Sequence, residues 1–211
     1  MAHVPTSLAL FQNDLDEERR ERYLNSRFLA VDTETLGLVT KRDRLCVVQM
    51  CNEEGIFSIV QTKDYQAPRL KEVLESPRVE KIFHFARFDM AALQHWLGCR
   101  VQPVYCTKIA SKLARTYSGN HGLKHLVREL LGVDMDKEQQ SSDWGADMLS
   151  DQQLAYTAGD VMYLVGIRER LEVMLTRENR WELAKEVMAA LPMRVRLDLG
   201  GWENEDIFSH S

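Results

Sequence analysis

The sequence contains no apolar run approaching the roughly 20 residues that a membrane-spanning helix requires. Residues 1–22 carry mixed charge behind a short apolar patch, without the basic start or the cleavage site of a signal peptide. The charged fraction of 28% and the hydrophobic fraction of 45% are ordinary for a soluble globular protein. A chain of 211 residues can bury one core, so we predict a single soluble domain with no membrane partner.

Cysteine is scarce, and no two cysteines form a C-x-x-C pair; the four are Cys46, Cys51, Cys99 and Cys106. There is also no cluster of histidines at ligand spacing, so the pattern argues against a zinc site. Reduced cysteines and the lack of an export signal predict a cytoplasmic location.

Acidic side chains are absent from Met90 to Arg128, although the formal charge of the whole chain is −5. An acidic protein is poorly suited to coating long nucleic acids. The acid-free segment is either a solvated helix face or a local phosphate-binding surface, and both interpretations stay open. Its cationic side chains are Arg100, Lys108, Lys112, Arg115, Lys124 and Arg128, joined by three histidines.

Hydrophobic periodicity divides the chain into strands and a later, mostly helical part. Strands are predicted at 28–33, 45–51, 56–60, 81–85 and 101–105. Helices are predicted at 13–23, 68–74, 86–97, 107–115, 121–131 and 181–191. One long helix is predicted to follow an N-cap at Ser150 and to reach residue 175. This order predicts an α/β fold with a mixed central sheet flanked by helices.

Two carboxylates, Asp32 and Glu34, end the first predicted strand. Alternate side chains of a strand share a face, so these two point the same way and Thr33 points opposite. Carboxylates this close repel each other unless a cation lies between them. They also precede Gly37 at a strand C-terminus, where ligands bind in open α/β sheets.

Two further acids lie later in the chain, Asp89 at the start of a predicted helix and Asp160 within an apolar helix segment. A lone carboxylate is costly to bury in such a segment. Tyr156 lies four residues before Asp160 and hence on the same helix face. Oxygen ligands without cysteine or clustered histidine suit Mg²⁺ or Mn²⁺. Together these residues predict a two-metal phosphodiester hydrolase in which Tyr156 positions the water.

The motifs that carry these residues, VDTETLGL, HFARFDM and YTAGDVMYL, are similar to those of the DEDD exonuclease superfamily. The Y-x-x-x-D spacing resembles its tyrosine subgroup, and SSDWGADMLSDQQLAYTAGDVMYL resembles ribonuclease D. The resemblance implies a ribonuclease H-like fold and 3′-to-5′ hydrolysis that releases nucleoside 5′-monophosphates. It also implies that two Mg²⁺ or Mn²⁺ ions bind to four acids, while Tyr156 orients the water; the acids are Asp32, Glu34, Asp89 and Asp160.

Ribonuclease D continues into helical RNA-binding domains, whereas this sequence ends soon after the predicted catalytic part. The segments RDRLCVVQM, CTKIASKLARTYS, HGLKHLVRELLGV and LDLGGWENEDIF resemble the nanoRNase C group, a compact branch of the ribonuclease D family. That resemblance implies a short RNA substrate, with dinucleotides favoured. It also implies a homo-oligomer, a dimer-based ring that could reach an octamer.

Substrate contacts are expected beside the carboxylates and in the acid-free segment. Leu36 could wedge against the terminal bases or pack in the core, and His84 could face the phosphate path or pack at a strand end. One basic cluster could cap a terminal 5′-phosphate, and its candidate members are Lys108, Arg115, His121 and Lys124.

Three parts are predicted along the chain, an N-terminal extension (1–25), the exonuclease domain (26–192) and a C-terminal tail (193–211). The tail alternates like a strand and then spaces apolar residues among acids, which favours docking on a neighbouring subunit over disorder.

Two alternatives to a short-RNA exonuclease stay open. One is a broader ribonuclease D-like exonuclease acting on tRNA 3′ ends or on DNA, because nothing here reads the 2′-hydroxyl. The other is an inactive exonuclease fold that serves as an RNA-binding scaffold, against which the retained acids weigh.

Overall fold

The structure, a computed structural model, describes residues 7–135 and 142–210. Its centre is a six-stranded mixed sheet in the order β1-β4-β3-β2-β5-β6. The strands are β1 (Ala9–Gln12), β2 (Phe28–Thr35), β3 (Leu45–Asn52), β4 (Phe57–Gln61), β5 (Glu80–Phe83) and β6 (Val104–Cys106). Neighbours β2, β3 and β4 are antiparallel, whereas β1 pairs with β4 in parallel, and β5 and β6 extend the sheet from β2 in parallel.

Helices flank this sheet, which confirms the predicted α/β class, mixed sheet and single domain. They are α1 (Glu17–Leu24), α2 (Pro68–Glu75), α3 (Ala86–Leu97), α4 (Thr107–Ala114), α5 (Leu123–Leu126), α6 (Asp151–Met162), α7 (Leu164–Arg177), α8 (Trp181–Ala189) and α9 (Leu191–Leu197). Short π-helical turns follow α5 and α9, at Val127–Leu131 and Asp198–Trp202. Within residues 7–135 and 142–210, none of the helices is both long and apolar enough to cross a bilayer.

The two central strands, β2 and β3, are largely buried. All residues of β3 are buried, and so are the first four of β2. Strands covered on both faces read as continuous apolar runs rather than as alternation. Beyond Val31 the burial of β2 becomes partial, at Asp32 and again at Glu34. The buried apolar part of β2 therefore leads directly into the carboxylates Asp32 and Glu34 near the end of this strand.

A short strand in the predicted N-terminal extension was missed. β1 pairs with β4 from Ala9 opposite Ser58 to Gln12 opposite Gln61, so it forms one edge of the sheet. The helix predicted at 13–23 begins only at Glu17, where the Asp16 side chain accepts from the Arg19 backbone as an N-cap. A four-residue strand with alternating partial burial gives a weak sequence pattern, because only one of its faces packs.

The long helix predicted after Ser150 is two helices. Its start is confirmed, since Ser150 and Gln153 form a reciprocal capping box. The regular helix is interrupted at Tyr163, whose backbone angles of φ −97° and ψ −10° deviate by roughly 30° from those of an ideal α-helix. Neither glycine nor proline stands at the break and the apolar periodicity continues across it, so sequence pattern could not place it.

The structure also corrects the prediction that the C-terminal tail begins as a strand. Residues 191–197 form helix α9, because Pro192 lies in its first turn, where a missing N–H costs nothing. The following turn packs on α3 of the same chain, where Arg87 donates to both oxygens of Asp198 at 2.6 and 2.8 Å. Trp202 and Phe208 stay exposed. The predicted contact of this tail with a neighbouring subunit stays a prediction.

Candidate active site

Three of the predicted acids converge at the end of the central strand. One oxygen from each of Asp32, Glu34 and Asp160 lies within 4.8 Å of the others. The first two share a face of β2, and a register shift after Glu34 marks a bulge that ends its regular pairing with β3. Asp160 comes from α6, which packs across β2 and β3. Residues 126 positions apart in the sequence, Glu34 and Asp160, therefore meet through the packing of one helix on the sheet.

Asp89 lies beside this group, in the first turn of α3, and is 4% exposed. The Thr33 hydroxyl donates to Asp89 Oδ1 at 2.7 Å. Asp89 lies outside the set of three that converge within 4.8 Å. Asp89 still interacts electrostatically with the three acids, because its negative charge is among the causes that raise the pKa of Asp32. Thr33, predicted to point away from the carboxylates, thus links β2 to α3.

A residue that the sequence analysis missed also contacts the acids. Gln49 lies directly opposite Asp32 on β3. Its Nε2 donates to Asp32 Oδ2 at 2.5 Å and to Glu34 Oε1 at 3.4 Å. The available signal was a polar residue within the apolar run LCVVQM, at a position that the strand buries.

The electrostatics of the site favour protons or a cation on the acids. Burial raises the pKa of Asp32 well above its usual range, and the charges of Asp89, Asp160 and Glu34 raise it further. Burial, followed by the charge of Asp160, raises the pKa of Glu34 to about 8. Burial also raises the pKa of Asp89 to about 7, against the hydrogen bond from Thr33. Acids this crowded ionise together only when positive charge joins them.

The donor set fits a hard divalent cation. All converging ligand atoms are carboxylate oxygens, which Mg²⁺ and Mn²⁺ prefer. The four cysteines are buried and free, and they take no part in the group. Among the residues that the structure describes, this is the one place where three candidate ligands converge.

Tyr156 lies on the same face of α6 as Asp160. Its ring packs on that of Trp144, with the two ring centroids 5.8 Å apart. Burial raises the pKa of the Tyr156 phenol above its usual value, and the charges of Asp160 and Glu34 add to this. A phenol with a pKa above its usual value near 10 keeps its proton at neutral pH, so Tyr156 can donate a hydrogen bond and is a poor general base by itself.

Leu36 follows Glu34 by two residues and is 51% exposed, so the alternative that it packs in the core is wrong. The loop before α6 lies against it: a Cβ added at Gly145 would meet Leu36 Cδ2 at 3.1 Å. Arg44 donates to the Gly145 carbonyl at 3.2 Å and ties this loop to the start of β3.

His84 is half-buried at the end of β5, where its Nδ1 lies 2.9 Å from Thr107 Oγ1. The next residue, Phe85, is exposed and has a left-handed backbone with φ 78°. Lys108 Nζ lies 4.6 Å from the centre of the Phe85 ring, a cation–π contact. Lys108, from the acid-free segment, therefore lies beside Phe85, four residues before Asp89.

Lys108, His121 and Lys124 line one open groove of about 600 Å³, as the predicted basic cluster requires. Burial, and then the positive charges of Arg115 and Lys112, lower the pKa of His121 below its usual value. The other residues that line the groove include Lys112, His125 and Arg128.

The structure corrects the prediction that Arg115 binds the substrate. Its side chain is fully buried, forms an ion pair with Glu129, and donates to Ser111 Oγ and to the Asn120 carbonyl, each at 2.9 Å. A guanidinium committed in this way supports the groove from beneath and is not available to bind substrate. Sequence alone could not show this, because the partner acid Glu129 lies just beyond the acid-free segment.

Comparison with known proteins matches residues 9–176 to the 3′-5′ exonuclease family model. Ribonuclease D of Acidiphilium cryptum is 33% identical over 172 residues, which are 81% of this chain and 44% of that protein. The chain thus spans less than half the length of this relative. The solved structure of Escherichia coli RNase D, with a TM-score of 0.79 at 23% identity, shares the fold over 93% of this chain and 53% of that one.

Brucella melitensis NrnC is similar along its whole length, with a TM-score of 0.92, 46% identity, and coverage of 98% of this chain and 100% of that one. Structures of NrnC bound to pGG and with bound Mg²⁺ are also similar, with TM-scores of 0.91 and 0.90. Together with the family match, this confirms the resemblance to ribonuclease D and nanoRNase C and the exonuclease fold. The chain belongs to the 3′-5′ exonuclease family, in the branch that includes the Brucella NrnC.

Proposed function

We propose that this chain is a metal-dependent 3′-5′ exoribonuclease that hydrolyses short oligoribonucleotides, dinucleotides above all, to nucleoside 5′-monophosphates. The observation that carries the proposal is the convergence of Asp32, Glu34 and Asp160 within 4.8 Å, with Asp89 beside them. The similarity to an NrnC bound to pGG supports a short RNA substrate.

The four acids would hold two Mg²⁺ or Mn²⁺ ions, and similarity to an NrnC with bound Mg²⁺ supports the first of these metals. Bound divalent ions supply an activated water and charge stabilisation for phosphodiester hydrolysis. The protein contributes the orientation of the ligands: Asp32 and Glu34 through β2, Asp160 through α6, and Asp89 through its bond to Thr33.

Tyr156 would orient the attacking water by donating its phenolic hydrogen. Its raised pKa keeps that hydrogen in place at neutral pH, and its packing on Trp144 restricts the ring. Catalysis of this kind depends on geometry more than on proton transfer by the side chain.

Substrate length would be set by two features, the Leu36 side chain and the basic groove. Leu36 would wedge against the terminal bases, since it follows Glu34 by two residues and its side chain is half-exposed. The groove lined by Lys108, His121 and Lys124 would cap a 5′-phosphate. The two lysines supply charge, whereas His121, with its lowered pKa, supplies a hydrogen bond. His84, oriented by Thr107, would border the phosphate path.

The domain limits, location and assembly belong to the same proposal. The exonuclease domain would run from 26 to 192, joined by β1 from the N-terminal part. Residues 193–211 would contact a neighbouring subunit through exposed side chains such as Trp202, Ile207 and Phe208, in a homo-oligomeric ring in the cytoplasm. Light scattering of the full chain and of Phe208→Ser tests this assembly, and a monomeric wild type would contradict it.

Degradation of 5′-labelled RNAs of two to twenty nucleotides, in Mg²⁺ and in Mn²⁺, tests the function. Faster hydrolysis of the dinucleotide than of every longer RNA supports the proposal. Equal processing of all lengths, or of duplex DNA, would instead indicate a broader ribonuclease D-like exonuclease. No hydrolysis of any substrate would indicate an inactive RNA-binding scaffold.

A further inference from the structure

A buried amide bonds to two of the candidate metal ligands. We infer that Gln49 is a positioning residue for metal binding, whose side chain holds the Asp32 and Glu34 carboxylates in the orientation that a divalent cation needs. This role rests on the proposed function, because it assumes that these carboxylates bind the metal.

The sheet register places Gln49 for this role. Gln49 and Asp32 are direct partners across the antiparallel pair β2–β3. Directly opposed side chains on one face of such a pair have Cβ atoms roughly 5 Å apart, within reach of a hydrogen bond. Glu34 is two residues further along β2 on the same face, so one amide reaches both carboxylates. Since Gln49 is 1% exposed, water does not compete for these bonds.

The orientation of the amide follows from its surroundings. The two hydrogens of Nε2 match two carboxylates that can only accept when ionised, whereas the reversed amide would place its oxygen against both. In the orientation found, Gln49 Oε1 is buried and accepts no hydrogen bond from residues 7–135 and 142–210. A buried oxygen without a partner costs about 1–3 kcal/mol. Stability of the sheet therefore does not explain this glutamine, whereas alignment of the carboxylates does.

A second buried glutamine provides the contrast. Gln61 on β4 is 2% exposed, yet both ends of its amide have partners: Oε1 accepts from Gln12 at 2.8 Å and Nε2 donates to the Ala146 carbonyl at 3.3 Å. Gln61 is thus a structural amide of the same size in the same sheet. It makes a matched control for Gln49.

The experiment is calorimetric titration of metal-free protein with MnCl₂ and with MgCl₂, for the wild type, Gln49→Met and Gln61→Met. We expect Gln49→Met to bind the metal 10–100-fold more weakly, as is typical when a residue that orients a ligand is lost. Gln61→Met should lower the melting temperature and keep the wild-type metal affinity. If Gln49→Met does not fold, Gln49→Asn, whose shorter amide does not reach both carboxylates, should show the same weakening.

Two results would overturn the role of Gln49. One is metal affinity within twofold of the wild type in the folded Gln49 variant. The other is equal weakening in Gln61→Met, which would reveal a general effect of sheet stability. If the wild type binds metal and hydrolyses RNA, such results leave the proposed function intact. A wild type that binds neither metal would remove the proposed function and the role of Gln49 together.

Discussion

The indole of Trp144 packs on the phenol ring of Tyr156, with the two rings tilted by 39°. Trp144 is 3% exposed and belongs to a small buried cluster with Cys46, Val47 and Ile59, to which Tyr156 is also packed. The Trp144 Nε1 hydrogen has no acceptor among the described residues. This buried indole therefore connects the loop before α6 to the residue expected to orient the water.

Replacing Trp144 with leucine should lower kcat more than it raises KM, because Tyr156 loses the surface that restricts its ring. We expect a fall of about tenfold in kcat, and a loss of about 3 kcal/mol in the free energy of unfolding from the cavity left behind. Steady-state kinetics on a dinucleotide measure the first effect, and chemical denaturation measures the second.

Trp181→Leu is the matched control for this change. Trp181 packs on Tyr105, with ring centroids 6.2 Å apart, in contacts that do not involve the carboxylates. It should lose stability with an unchanged kcat, and Trp144→Phe should recover most of the activity. Equal loss of kcat in both leucine variants would mean that Trp144 acts through stability alone.

Replacing Gly145 with alanine should displace Leu36. The added Cβ would lie 2.9 Å from Arg44 Nη2 and 3.1 Å from Leu36 Cδ2, so both flexible side chains must move. We expect KM for a dinucleotide to rise three- to tenfold, with a smaller change for a longer RNA. The comparison of kcat/KM between the two lengths measures the effect.

Gly166→Ala serves as its control, because the added Cβ would make only ordinary contacts, at 3.5 Å or more, with Leu131. This variant should keep the length preference of the wild type. An unchanged preference in Gly145→Ala as well would show that the position of Leu36 does not set substrate length.

Removing a lysine from the basic groove should weaken recognition of the 5′-phosphate. We expect Lys108→Ala and Lys124→Ala each to raise KM for a 5′-phosphorylated dinucleotide about tenfold or more, since a hydrogen bond to a charged group contributes about 1.5–3 kcal/mol. The same dinucleotide with a 5′-hydroxyl should show little change. Lys185→Ala, which removes a lysine that pairs with Glu182, controls for net charge. KM values that rise equally with and without the phosphate would contradict the cap.

The buried Lys81 should give the protein a distinct dependence of stability on pH. Burial lowers the pKa of Lys81 to about 8, while its ammonium donates to the carbonyls of Ser76 and Gln102. An unfolded lysine titrates near pH 10.4, so between about pH 8 and 10.4 the unfolded state binds more protons than the folded state. The contribution of Lys81 to the free energy of unfolding therefore rises with pH across that window. Below about pH 8 the destabilisation caused by burying the charged ammonium is fully present.

Denaturant titrations of the wild type and of Lys81→Met, repeated from pH 7 to 10.5, measure this contribution. The free energy of unfolding of the wild type should rise relative to that of the variant by a few kcal/mol, since each pKa unit corresponds to about 1.4 kcal/mol. The bonds lost to the two carbonyls add a constant difference that does not vary with pH. Two parallel curves would show that Lys81 titrates normally in the folded protein.

Sequence pattern predicted the sheet and the acids because each depends on local information. The apolar run of β2 and the two-residue spacing of Asp32 and Glu34 follow from strand geometry, and the four-residue spacing of Tyr156 and Asp160 from helix geometry. In the structure the packing of α6 on the sheet brings Asp160 to Asp32 and Glu34. Their roles in metal binding and catalysis stay predictions.

Features that depend on distant partners were missed or wrong. Gln49 was overlooked because its function depends on the register of β3 against β2. Arg115 was misassigned because its charge is compensated by Glu129, which reaches it only after the chain turns. The alternation in the tail predicts a strand, but the same pattern is also compatible with a short helix whose first turn contains Pro192. In each case tertiary contacts overrode a local pattern.

The most direct measurement is hydrolysis of a 5′-phosphorylated dinucleotide in Mg²⁺ by the wild type and by Asp160→Asn, each with and without EDTA. Asp160→Asn removes one of three converging carboxylates and keeps the size of the side chain. We expect the wild type to release nucleoside 5′-monophosphates, EDTA to stop it, and the variant to lose at least 100-fold in rate while remaining folded. Hydrolysis by Asp160→Asn at the wild-type rate, or by the wild type in EDTA, would contradict a metal-dependent exonuclease at this site.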